Sequence, residues 1–198
     1  MIDIVKHNEA LIFDLDGTLA DTMPLHYQAS QEICNAHGFD FPLDYFYQEA
    51  GRPTIDVFID LMKIKNTGLD GETLATAKEK RFLELLPTVK VIPEVFAVVE
   101  YYHGKIPMAI GSGGQRKAVI DTLNTLGILN LFDAVVSADD VQHHKPFPDT
   151  FLKGASAMGI EPEKCVVFED GPPGIKAAIA AKMDVIDVRK HIKQTLIV

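Results

Sequence analysis

Cysteine is nearly missing from this chain. Cys34 and Cys165 are the only two among 198 residues, and they lie far apart. That excludes a disulfide scaffold, which needs several closely spaced cysteines. Long apolar runs are missing too. None approaches the ~18 residues of a membrane-spanning helix, so no membrane partner is expected. Positive charge is in deficit: 19 Lys and Arg stand against 28 Asp and Glu, a net charge of −9. Such a field repels phosphate backbones and excludes a general nucleic-acid binder. The opening residues, Met1-Ile2-Asp3-Ile4-Val5-Lys6, lack a basic region followed by an apolar stretch, so no signal peptide is read there. With two unpaired cysteines, the expected setting is a reducing cytoplasm. Internal repeats and low-complexity tracts are also missing.

What remains is an ordinary globular balance, 47% hydrophobic and 24% charged. The apolar fraction is too high for disorder. The length suits one domain, or one domain carrying an insertion. An anionic substrate would have to be met by a local positive site, built from a metal, a Lys or backbone amides.

Five short apolar runs read as strands: Ala10-Leu11-Ile12-Phe13, the run 106–110, Ala134-Val135-Val136, Cys165-Val166-Val167-Phe168 and the run 185–188. Helical periodicity lies between them over 93–102, 115–126, 148–158 and 172–182, with Gly127 and Gly159 as stop signals. Alternation of strand and helix predicts a parallel α/β sheet with helices on both faces. The stretch 21–88 differs. It holds no clear strand, and its segments 25–36, 43–50, 54–64 and 72–86 read as helices. The expected organisation is a discontinuous Rossmann-like core, 1–20 and 89–198, with an α-helical cap at 21–88 inserted after the first strand.

Four of the five runs end in polar or Gly-rich loops, and open parallel sheets bind ligands at those ends. The groups gathered there are Asp14 and Asp16, Ser112 with its glycines, Lys145, and Glu169 with Asp170. One carboxylate can serve as nucleophile and another as general acid/base. Several carboxylates around one point suit Mg²⁺. Ser112 and the amides beside it can bond phosphoryl oxygens, and Lys145 can neutralise the attacked phosphate. Each motif alone has an ordinary explanation: an Asx turn, a Gly-rich loop, a surface Lys, a helix cap. Together, each at a strand end, they favour a phosphoryl-transfer site.

Four stretches carry a family resemblance. They are Phe13-Asp14-Leu15-Asp16-Gly17-Thr18, Ile110-Gly111-Ser112-Gly113, Lys145-Pro146-Phe147-Pro148-Asp149 and Phe168-Glu169-Asp170-Gly171. In this order they resemble the four motifs of the haloacid dehalogenase superfamily, and the helical insert resembles that family's small cap. Within it the chain is similar to the β-phosphoglucomutase-like subgroup. It is most similar to small bacterial phosphatases of fructose-1-phosphate and 6-phosphogluconate.

The resemblance implies Asp14 as nucleophile, Asp16 as acid/base, and Ser112 and Lys145 holding the phosphoryl group. It implies Mg²⁺ on Asp14, the carbonyl of Asp16, Asp170 and Glu169. It adds Leu15, Gly113, His26, Arg52 and Lys80 as substrate-binding positions, Lys80 as a cap Lys facing the site. One departure matters. Where mutases carry an Arg three residues after the Gly of the cap loop Gly51-Arg52-Pro53-Thr54, this chain has Thr54. The expected function is therefore an Mg²⁺-dependent phosphatase of small sugar phosphates, acting as a monomer or weak dimer. A phosphosugar mutase is the enzymatic alternative, and a non-catalytic phosphometabolite-binding regulator is the alternative from another class.

Smaller features read as structural. Cys165 is expected to be a core thiol and Cys34 a packed cap residue. Tyr45, Phe46 and Tyr47 are expected in the cap core. The adjacent His143 and His144 should point opposite ways, unsuited to one metal.

Overall fold

The computed structural model describes residues 2, 7–50 and 52–192. Gly51 and most of the N-terminal stretch read for an export signal lie outside them. Five strands form one parallel sheet: β1 (Ala10–Phe13), β2 (Met108–Gly111), β3 (Ala134–Val136), β4 (Cys165–Glu169) and β5 (Asp184–Asp187), in the order β3-β2-β1-β4-β5. The expected α/β sheet is therefore present. The second strand begins at Met108 rather than Ile106, since Pro107 cannot donate to a ladder.

Side-chain alternation explains the layers. Leu11 and Phe13 of β1 face one side of the sheet, and Ala10 and Ile12 face the other. The first side packs on Val95, Val98 and Val99 of α5 (Pro93–Tyr102) and on Val119 and Leu123 of α6 (Arg116–Thr125). The second packs on Phe151 and Ala155 of α7 (Asp149–Met158) and on Ala177 and Ala178 of α8 (Pro172–Ala180).

Between β1 and α5 the described residues form no strand, only isolated bridges, a 3-10 turn at Leu86–Thr88 and four α-helices. They are α1 (Met23–Ala36), α2 (Leu43–Gln48), α3 (Thr54–Lys65) and α4 (Gly71–Leu85). These helices build an apolar cluster of their own around Phe41, Phe46, Phe58, Leu61 and Leu74, which also takes in Cys34. Burial pushes the Cys34 thiol up to about 12 and the Cys165 thiol up to about 11, as suits packed thiols. Asp70 caps α4, accepting from the amides of Glu72 and Thr73.

The two segments linking these helices to the sheet run side by side. The Asp21 amide donates to the Lys90 carbonyl (2.9 Å) and the Ile92 amide to the Leu19 carbonyl (2.8 Å). Ala20 and Val91 form an antiparallel bridge.

Candidate active site

The strand order decides which loops meet. β1 lies in the centre, flanked by β2 and β4, so the loops after all three strands converge at one sheet end. Backbone pairing runs past the strands: the Asp14 amide donates to the Phe168 carbonyl (3.0 Å) and the Ser112 amide to the Val136 carbonyl (2.9 Å). Above these loops, facing the helical insert, lies a cavity of 580 Å³.

Lys145 is the hub of its floor. Its Nζ donates to Asp14 Oδ1 at 2.6 Å and to Glu169 Oε2 at 2.7 Å. Lys145, Asp14 and Glu169 are all buried at the side chain. Burial opposes the Lys145 charge, but Asp14 and Glu169 outweigh it and hold the ammonium above its usual range. Glu169 is fixed further by the amides of Asp170 (3.0 Å) and Gly171 (2.7 Å). Those bonds come from the backbone, so the Pro172-Pro173 pair after them costs nothing at the start of α8, where amides lack helical partners.

Two glycines make room for this arrangement. Gly17 sits at φ +83°, and a Cβ there would lie 2.6 Å from Asp170 Oδ2. A Cβ on Gly174 would overlap the Glu169 carboxylate.

Asp14, Glu169 and Asp170 offer three carboxylate oxygens within 4.8 Å of one another. Burial pushes Asp14 up to about 7, with Lys145 pulling against it and Asp170 and Asp16 adding repulsion. Burial likewise lifts Glu169 and Asp170 to about 7, and each is repelled by a neighbouring carboxylate. One ammonium cannot satisfy two buried carboxylates and a third, half-buried one beside them. An all-oxygen, anionic donor set of this kind fits a hard divalent cation such as Mg²⁺.

Asp16 has different surroundings. Its Oδ1 accepts from the Thr22 hydroxyl (2.7 Å) and lies 3.5 Å from His26 Nε2. Lys78 Nζ donates to His26 Nδ1 at 2.8 Å and to Glu79 Oε1 at 3.0 Å. Burial acts upward on Asp16, but His26, Thr22 and Lys78 outweigh it and keep the carboxyl below its usual value. The two aspartates are thus pushed in opposite directions, Asp14 toward its protonated form and Asp16 toward its carboxylate.

Of the expected site residues, Asp14, Asp16, His26, Arg52, Gly113, Lys145, Glu169 and Asp170 line the cavity. Three other expected positions do not. Lys80 is exposed and away from the cavity, and the cap lysine that faces it is Lys78, which is buried. Two positions along a helix turn the side chain about 200°, which reverses its face. The Leu15 side chain lies in the core, which leaves only its backbone for ligand contact. Ser112 is fully buried, its Oγ accepting from the Gly114 amide at 3.0 Å and standing 3.5 Å from Asp16 Oδ2.

Thr18 and Thr22 are additional positions with a part in the site. The Thr18 hydroxyl donates to Asp170 Oδ1 at 2.7 Å. The two histidines diverge as expected: exposed His143 pairs with Asp149 (2.9 Å), while His144 lines the cavity.

The family model for haloacid dehalogenase-like hydrolases matches residues 11–188. The chain belongs to that family. It is 43% identical over 180 residues to the fructose-1-phosphate phosphatase YqaB of Escherichia coli, covering 90% of this chain and 95% of that one. It is 31% identical over 181 residues to a phosphorylated carbohydrates phosphatase of Thermotoga maritima, covering 89% and 82%. Among solved structures, the β-phosphoglucomutase of Clostridium difficile superposes with a TM-score of 0.79 at 26% identity, covering 90% of this chain and 83% of that one.

Proposed function

We infer that this family member is a phosphatase of small sugar phosphates that works through an aspartyl-phosphate. The observation that carries this is the Asp14–Lys145–Glu169 triad on the cavity floor, with Asp16 beside it and 3.5 Å from the Ser112 hydroxyl. The phosphatase names of its relatives support the reaction class, and two of those names specify phosphorylated carbohydrates.

In the first step an Asp14 carboxylate oxygen attacks phosphorus, and the bond from phosphorus to the sugar oxygen breaks. The departing oxygen takes a proton from Asp16. In the second step a water oxygen attacks the same phosphorus while Asp16 takes back a proton. The Asp14–phosphorus bond then breaks, inorganic phosphate leaves, and Asp14 is restored. Lys145 balances the charge of Asp14 and of the incoming phosphate throughout. Ser112 and the amides of Leu15 and Gly113 are assigned to the phosphoryl oxygens. Asp14, Asp170 and Glu169, with the Asp16 carbonyl, would hold Mg²⁺, which supplies further charge neutralisation when bound. The Thr22, His26 and Lys78 chain orients Asp16, and the helical insert screens the cavity from bulk water.

A phosphate-release screen over sugar phosphates with Mg²⁺, run beside Asp14→Asn, tests this. Phosphate release lost in the variant is the expected result. Isomerisation without release would make the protein a mutase, and undiminished activity of Asp14→Asn would remove the nucleophile assignment.

A further inference from the structure

Lys78 is buried, and a buried ammonium needs a counter-charge within reach. Glu79 supplies it. Its Oε1 accepts from Lys78 Nζ at 3.0 Å and from the Thr54 hydroxyl at 2.6 Å. These bonds tie the start of α3 to α4 and steady the lysine that donates to His26. They account for one oxygen of the carboxylate. The other, Oε2, has no hydrogen-bond partner among the described residues and is not a buried atom.

Glu79 and Thr54 both line the cavity. Burial acts upward on Glu79, but Lys78, His26 and Thr54 outweigh it and keep the carboxyl below its usual value. Oε2 is therefore part of an ionised group that can only accept, open at a cavity wall. A hydroxyl donating to it would make a charge-assisted hydrogen bond, stronger than one between neutral groups. The floor belongs to the sheet and Glu79 to the helical insert. An ester whose phosphate sits on Lys145 thus carries its other end toward the insert. On a sugar phosphate, that end is a set of hydroxyl donors.

We propose that Glu79 Oε2 accepts a hydroxyl of the substrate's sugar or polyol, which makes Glu79 a specificity-determining residue. This rests on the phosphatase reading of the floor and deepens it, because it selects hydroxylated esters, phosphorylated sugars and sugar acids alike, over esters whose other end has no hydroxyl. The two oxygens divide the work. Oε1 holds Lys78 and Thr54 in place, and Oε2 meets the substrate.

Fructose-1-phosphate against phenyl phosphate, which has no hydroxyl, tests the proposal. The wild type should favour the sugar ester in kcat/KM. In Glu79→Met that preference should fall by about tenfold or more, through KM for the sugar ester. Glu79→Gln keeps the shape but leaves a neutral amide. It should lower the preference by about threefold or more, and it decides the matter alone if Glu79→Met does not fold. A role exercised only through packing or through Lys78 would slow both esters alike, so a preference unmoved in a folded variant overturns the proposal. A wild type that favours phenyl phosphate overturns it too. If neither ester releases phosphate, the phosphatase reading fails. Calorimetric Kd values with Mg²⁺ then replace kcat/KM for any ester not turned over: a preference reduced in the variants upholds the hydroxyl contact, and an unmoved one overturns it.

Discussion

Lys78 donates a 2.8 Å hydrogen bond to Nδ1 of His26. An ammonium can only donate, so Nδ1 is the acceptor and the ring proton sits on Nε2, the nitrogen facing Asp16. A buried lysine on the helical insert thereby sets the tautomer of a ring that touches the acid/base on the core. Lys78→Met should lower kcat by about ten- to hundredfold. Losing a group that holds Asp16 below its usual value should move the limb of the pH–rate profile that reports Asp16 to higher pH. Lys80→Met, on the exposed face, should change kcat by less than about twofold. Phosphate release across pH checks all three outcomes.

Asp14→Asn should reduce kcat by about a thousandfold or more, because an amide oxygen is a poor nucleophile toward phosphorus. The fold should survive, since Lys145 keeps Glu169 as its partner. A rapid-quench assay for an acid-stable protein-bound phosphoryl group should find none in the variant.

Metal and pH should be linked in stability. Asp14, Glu169 and Asp170 titrate near 7 in the folded chain and near their ordinary values, about 4, when unfolded. Folding thus favours their protonated forms. The stability they contribute is complete at low pH and is lost as pH rises through about 7. Metal-free protein should melt about 3 °C or more lower at pH 8 than at pH 6, and Mg²⁺ should restore most of the loss at pH 8 by binding the charged forms. Calorimetry with and without chelator measures both.

Gly174→Ala tests the packing behind Glu169. The added Cβ would collide with the carboxylate that Lys145 holds, so Glu169 must swing away. A displacement of about 1 Å in such a constellation costs roughly a hundredfold in kcat. Weaker Mg²⁺ dependence with an unchanged far-ultraviolet spectrum would place the damage at the site.

The floor of the cavity was legible because its chemistry sits at the ends of short apolar runs. Asp14, Lys145, Glu169 and Asp170 each follow or adjoin a turn signal, and only the sheet order was needed to join them. The walls were harder to read. Lys80 looked like the inward cap lysine, yet the spacing of Leu74, Ala75 and Phe82 already marked position 78 as lying on the buried stripe of α4. A charged residue on an apolar stripe is easily set aside, and here it was the informative one. The pairing of Arg52 with Glu49 and Asp60 had no local signal. Glu49 and Asp60 lie three and eight residues away, on opposite sides of a turn, and only the packing of α2 against α3 shows that both reach one guanidinium.

The paired links at Ala20 and Val91 give the molecule a pivot. A body hung from two adjacent, cross-bonded threads can swing about them but is poorly able to slide or twist. Thr22 and Asp16 lie beside that line and travel little on any swing. A swing about that line would move the far wall of the cavity more than it moves Thr22 and Asp16, so leverage separates the fit of a ligand from the chemistry.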